Sequence, residues 1–177
     1  MRLDPKYFNL FIVILAFITM LVIIYGTISY TQNQAGDFRE TVLEIPLDTL
    51  SFKTYEYEQE MVDLSDFQNS PVIIQFWSTW SGKSLAVNSF LEEYKSNHPE
   101  LIVFAAAIRD DEKLIVNHIN SENRDFLYVE GTPFFQELLV PGVPSQILIG
   151  RDGKLFDTQV GDDVFTLEEK LNRLMDE

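Results

Sequence analysis

Any chemistry in this 177-residue chain would centre on Ser81-Gly82-Lys83-Ser84, a short polar stretch that follows an apolar run. A serine becomes a nucleophile only with a general base within hydrogen-bond reach. The histidines are His98 and His118. His98 lies past the far end of the helix that opens at Ser81, about 25 Å away at 1.5 Å per residue. His118 falls two turns down a second helix. Both read as ordinary helix-end or surface histidines, and Ser81 reads as a helix N-cap. Gly82-Lys83-Ser84 is also the tail of a P-loop, with a strand before it and a helix after it. A P-loop needs glycine at position 77, however, and Trp77 stands there with Trp80 inside the loop. Two indoles do not line a phosphate cradle, so no nucleotide is expected. The chain has no cysteine, which excludes disulfides, thiolate metal sites and thiol catalysis. No cofactor and no metal are expected.

The elements that must hold this turn are legible on either side of it. Val72–Trp77 has the β-branched and aromatic content of a buried strand. After the turn, Val87, Phe90, Leu91 and Tyr94 recur at helical spacing, with Glu92, Glu93 and Lys95 on the other face. The turn therefore sits where a parallel strand feeds a helix, and free backbone N–H groups point at whatever lies above it.

Further elements follow in order. Phe52, Tyr55 and Tyr57, with Met61–Leu64 behind them, predict a small antiparallel hairpin turning near Glu58–Glu60. Asn97-His98-Pro99 ends the first helix, and Leu101–Ile108 is a second apolar strand. Asp110 and Asp111 can cap a helix with Leu114, Ile115 and Ile119 inward. Asp125–Val129 reads as a short strand, and Thr132-Pro133 as a cap with proline at N1. Ser145–Gly150 and Leu155–Val160 form a hairpin about Arg151–Lys154, and Thr166-Leu167-Glu168-Glu169 is a capping box opening a last helix.

Phe76-Trp77-Ser78-Thr79-Trp80-Ser81-Gly82-Lys83-Ser84 resembles the active-site segment of the thioredoxin superfamily, an apolar strand with Phe-Trp-Ala-x-Trp and then Cys-x-x-Cys opening a helix. Serine stands at both cysteine positions. The resemblance covers roughly Leu47 to Met175. Within the superfamily the chain looks most like the membrane-anchored, extracytoplasmic (TlpA-like) thiol:disulfide reductases that serve cytochrome maturation, and Val143-Pro144-Ser145 matches their Val-Pro-Thr segment. The resemblance implies a cis Val143–Pro144 peptide beside the Ser81 turn, Gln75 in place of the family's buried acid or amide, and a peptide groove at Trp80, Gly82, Lys83, Val143, Pro144 and Ser145. It implies an α/β, thioredoxin-like fold: a central mixed sheet flanked by helices, with an N-terminal β-hairpin, a mid-chain insertion and one N-terminal transmembrane helix.

That last element is read from composition. No charged residue occurs from Tyr7 to Gln34, and Phe8–Ile28 is long enough to cross a bilayer at about 31 Å. Arg2 and Lys6 precede it, which orients the N-terminus to the cytoplasm. A cleaved signal peptide would need a small-x-small site, and Thr27-Ile28-Ser29 is a poor one. The expected organisation is residues 1–6 in the cytoplasm, 7–29 as a signal-anchor helix in the inner membrane, 30–46 as a linker and extended lead-in, and 47–177 as a periplasmic or otherwise extracytoplasmic thioredoxin-like domain. The net charge of −15 disfavours nucleic acid and anionic lipid headgroups as ligands. Without thiols, Ser81 and Ser84 are degenerate positions and no residue is catalytic. The expected function is a redox-inactive, membrane-tethered domain that binds or positions an extracytoplasmic protein or extended peptide. The alternatives are a thiol:disulfide oxidoreductase whose two cysteines have been replaced at 81 and 84, and a structural subunit of a membrane assembly.

Overall fold

The computed structural model describes residues 5–55, 60–122 and 124–177. It divides into two compact units, Met1–Gly36 and Asp37–Glu177. The first consists of most of helix α1, which runs Pro5–Glu44. From Phe8 onward its large apolar side chains stand out from the helix; Phe11, Val13, Phe17 and Val22 are all more than half exposed. The hydroxyls of Thr19, Thr27 and Thr31 donate to the carbonyls of Leu15, Ile23 and Thr27, four residues back. A helix that is apolar all round and satisfies its own hydroxyls suits a medium without water.

The second unit is built on a five-stranded sheet of order β5-β4-β3-β6-β7. Its strands are β3 (Val72–Trp77), β4 (Ile102–Ala107), β5 (Leu127–Glu130), β6 (Ser145–Ile149) and β7 (Leu155–Val160). Strands β3, β4 and β5 are mutually parallel, whereas β6 runs antiparallel to both β3 and β7. Both faces are covered, and all six residues of β3 are buried. One face packs on helices α2 (Gly82–Asn97), α3 (Glu112–Glu122) and α5 (Val164–Met175) through Val87, Leu91, Ile115, Ile119, Leu167 and Leu171. The other face packs on the hairpin β1–β2 (Ser51–Lys53 with Met61–Asp63), on helix α4 (Thr132–Glu137) and on Phe38 and Val42. The fold is the expected mixed α/β one. Strand β5 and helix α4 are the mid-chain insertion, and β5 joins the sheet at its edge. The hairpin's pairing is as expected; its turn and Tyr57 lie outside the described residues.

Residues 30–46 are not an extended lead-in. Helix α1 continues to Glu44, and Phe38 and Val42, one helical turn apart, are fully buried. Arg39 holds Asp157 of β7 in an ion pair, and Lys170 of α5 takes the other carboxylate oxygen at 3.0 Å. Burial of two side chains at i, i+4 stabilises helix here although the local sequence shows no clear period.

Smaller differences concern faces and caps. Leu114 is exposed, because Ile115 and Ile119 form the inward stripe and the preceding position is turned about 100° away. Strand β5 starts at Leu127 rather than 125. Helix α4 is capped by Gly131, not Thr132, whose Oγ1 instead accepts the Arg109 N–H at 3.1 Å. A Cβ at Gly131 would lie 2.8 Å from that of Ala106, so the chain can pass here only as glycine. Helix α5 begins at Val164, with Asp163 as N-cap accepting the Thr166 N–H at 3.2 Å and its hydroxyl at 2.8 Å. The threonine of the sequence's capping box is thus a donor to an earlier cap.

Candidate functional site

Three loops meet at the C-terminal end of β3. The first is the turn Ser78–Ser81. Ser78 is buried and its hydroxyl donates to the Ile108 carbonyl at 3.3 Å. The Thr79 N–H donates to Asp110 Oδ2, and the Trp80 indole N–H donates to the Arg109 carbonyl at 3.4 Å. Trp80 is nevertheless 64% exposed. Ser81 caps α2 from an extended conformation, its Oγ accepting the Ser84 N–H at 3.2 Å.

The second loop carries Val143 and Pro144, joined by a cis peptide bond. The third is Gly161–Asp163. The Gly161 N–H donates to the Pro144 carbonyl at 2.9 Å, and Lys83 Nζ meets Asp162 Oδ1 at 2.9 Å. The lysine's hydrogen bond holds the Asp162 carboxyl below the usual carboxylate range. These two contacts tie the third loop to both of the others.

Of the groove residues expected from sequence, Trp80, Gly82 and Lys83 reach the surface, and Val143 is half-buried. Pro144 and Ser145 are buried, and the Ser145 hydroxyl donates inward to the Gly142 carbonyl at 2.8 Å. Ser145 therefore offers no side chain to a partner. Gly82 has nothing within 4 Å of where a Cβ would stand, so the position has room above it.

Ser84 is fully buried, and its Oγ has no partner among the described residues. Ser81 is 9% exposed. Neither hydroxyl is hydrogen-bonded to a base among the described residues. His98 stacks on Tyr94 at the end of α2, with ring centroids 4.4 Å apart. His118 differs from the expected surface histidine: it is half-buried against Trp77, with centroids at 5.1 Å. Burial lowers its pKa by disfavouring the charged imidazole. Among the described residues neither histidine is hydrogen-bonded to Ser81 or Ser84, and a serine nucleophile has no support here.

Beneath the turn is a feature that sequence reading missed. Gln75, Gln146 and Gln159 lie directly opposite one another across β3, β6 and β7, and all three are buried. Gln146 Nε2 donates to Gln75 Oε1 at 2.8 Å, and Gln159 Nε2 donates to the Asp163 carbonyl at 2.8 Å. The one-dimensional signal is a glutamine in each of three strands, a lone polar residue only in β3, and only strand register shows that they form one row. Among the described residues no three His, Asp or Glu side chains are grouped to hold a metal ion.

No family model matches the chain. Its sequence is 25% identical over 165 residues to the thiol-disulfide oxidoreductases ResA of Bacillus thuringiensis subsp. konkukian and Bacillus cereus, covering 89% of this chain and 94% of each of those proteins. Among solved structures, dsbF of Mycobacterium tuberculosis superposes with a TM-score of 0.64 at 16% identity, over 73% of this chain and 98% of that one. StoA of Bacillus subtilis superposes with a TM-score of 0.56 at 16% identity, over 71% of this chain and 99% of that one. The chain therefore has a thioredoxin-like fold and is similar in sequence to ResA thiol-disulfide oxidoreductases, and the motif resemblance puts Ser81 and Ser84 at the positions of a Cys-x-x-Cys pair.

Proposed function

We propose that this chain is a redox-silent, membrane-tethered thioredoxin-like domain that binds or positions an extended segment of a protein partner outside the cytoplasm. The observation that carries the reading is Trp80, exposed over a turn whose neighbouring loops are held in place by Gly161–Pro144 and Lys83–Asp162. The frame of a peptide groove persists while the thiols that would act in it are absent. A serine hydroxyl ionises far above physiological pH and forms no disulfide, so exchange chemistry has no route in the chain as it stands. An indole beside the end of a sheet can hold an extended peptide through backbone hydrogen bonds and apolar contact. The apolar stretch of α1 from Phe8 is long enough for the anchor, and Arg2 and Lys6 before it support an external domain by the positive-inside rule.

The test is capture of partners by the full chain in detergent, compared with a Trp80→Ala variant. The variant is expected to keep its fold and lose capture. Undiminished capture by folded Trp80→Ala overturns the groove and moves the interface to the anchor helix, as for a structural subunit of a membrane assembly.

A second reading is an oxidoreductase in which the two cysteines have been replaced. The orphaned Ser84 hydroxyl favours it, because a thiol in the same socket demands far less hydrogen bonding.

A further inference from the structure

Beside the groove the described residues outline a cavity of about 400 Å³, lined among others by Lys53, Tyr55, Asp110, Glu112, Glu130 and Thr132. It opens next to Trp80: Asp110 accepts the Thr79 N–H, and Trp80 itself rests on the Arg109 carbonyl. Three carboxylates face one ammonium across this space, and among the described residues none of Asp110, Glu112, Glu130 or Lys53 has an ion-pair partner within 4.0 Å. Two further cations belong to the turn and its neighbours. Lys83 is paired with Asp162, and the Arg109 guanidinium lies over the Phe135 ring at 4.9 Å. On the wall of this cavity the Tyr55 phenol is pushed up to about 12, chiefly by burial and then by Glu130, Glu112 and Asp110. Just past the Asp162–Asp163 loop, which Lys83 ties to the turn, stand exposed apolar side chains, Phe165 at 68% and Val164 at 37%. The surface around the site thus carries exposed apolar side chains with the Asp110, Glu112 and Glu130 carboxylates to one side, within a chain of net charge −15.

We infer that the partner segment is basic: it lays an apolar side chain against Trp80 and Phe165 and extends a lysine or arginine into the Asp110–Glu112–Glu130 cavity. Such a segment matches the site in both respects. Its apolar side chain covers two large exposed rings, and its cation compensates carboxylates that have no ion pair among the described residues. An ammonium or guanidinium fits better than a metal ion, because among the described residues no three carboxylates are grouped as a ligand set. The inference rests on the groove proposed above and adds the charge of what the groove takes.

Two fluorescein-labelled peptides test it on the full chain in detergent micelles: Gly-Leu-Arg-Val-Arg-Gly, and the same peptide with glutamate for arginine. Fluorescence polarisation should show the arginine peptide bound at least about tenfold more tightly, with affinity falling as salt is raised. Glu112→Gln/Glu130→Gln, which leaves the Asp110 contact to the turn intact, should remove most of that preference and leave the glutamate peptide unaffected. Trp80→Ala should weaken the arginine peptide as well. Equal binding of the two peptides, or no binding of either, overturns the basic-partner inference and leaves the groove to its own capture experiment. Arginine-peptide binding that survives Trp80→Ala but not Glu112→Gln/Glu130→Gln overturns it too, since the cavity would then act apart from the groove.

Discussion

Ser81 Oγ accepts the backbone N–H of Ser84 at 3.2 Å, yet the Ser84 hydroxyl, fully buried one turn further on, finds no partner among the described residues. The two serines of one motif thus have opposite energetics. The first satisfies an orphan donor of the helix end, and the second leaves a polar group unsatisfied in the interior.

Substitution should separate them. Ser81→Ala removes the cap and should cost about 1 kcal/mol of unfolding free energy. Ser84→Ala removes a desolvated hydroxyl and should be neutral or stabilising by up to about 1 kcal/mol. Chemical denaturation of the two variants reads the difference, and loss of stability in Ser84→Ala would show that its hydroxyl is bonded.

Placing a thiol at both positions should close the bond that the motif resemblance implies. Positions three apart on a first helical turn hold their Cα atoms about 5–6 Å apart, within reach of a disulfide. Ser81→Cys/Ser84→Cys should therefore close an intramolecular disulfide under mild oxidant and gain thiol:disulfide exchange, whereas the unaltered chain shows none. Mass spectrometry after alkylation counts the free thiols, and two free thiols in the oxidised, folded protein would refute the assignment of the turn.

His118 makes stability depend on pH. Its folded-state pKa lies below the ordinary value of 6.5 because burial against Trp77 disfavours the charged ring. The unfolded chain then binds the extra proton first as pH falls. The contribution is fully present above about pH 6.5 and is lost as pH drops from there through the lowered folded value. Thermal unfolding should show a lower Tm across that window, and His118→Gln should flatten this part of the profile.

The end of α1 should matter to the domain. Phe38 is fully buried in the core of the Asp37–Glu177 unit, so Phe38→Ala should cost about 3–5 kcal/mol. Truncation of Phe8 or Phe11, both more than half exposed, should leave the domain's denaturation unchanged. If Phe38→Ala unfolds at the same denaturant concentration as the parent, the helix end does not belong to the core.

Topology can be read with protease. Spheroplasts treated with protease should lose the domain while the anchor stays in the membrane. A protected domain, or one found free after cleavage near residue 29, would exclude a single uncleaved span with an external C-terminus.

Local sequence determined the turn, the strand before it and the amphipathic helix after it, because each is a short-range pattern: a buried β run, a small polar cap and a stripe of period 3.6. The absence of thiol chemistry is likewise composition alone. The apolar stretch after Phe8 was equally plain, since it has no charge for 28 residues from Tyr7 to Gln34. Tertiary structure decided what depends on long-range register and burial. Gln75, Gln146 and Gln159 become one row only when β3, β6 and β7 pair, and nothing along the chain brings them together. Phe38 and Val42 prolong α1 because a core waits for them, not because residues 30–46 favour helix. Burial turned Ser145 inward, and packing turned His118 from a surface residue into the neighbour of Trp77, for sequence shows which side chain stands at a position but not which surfaces meet there.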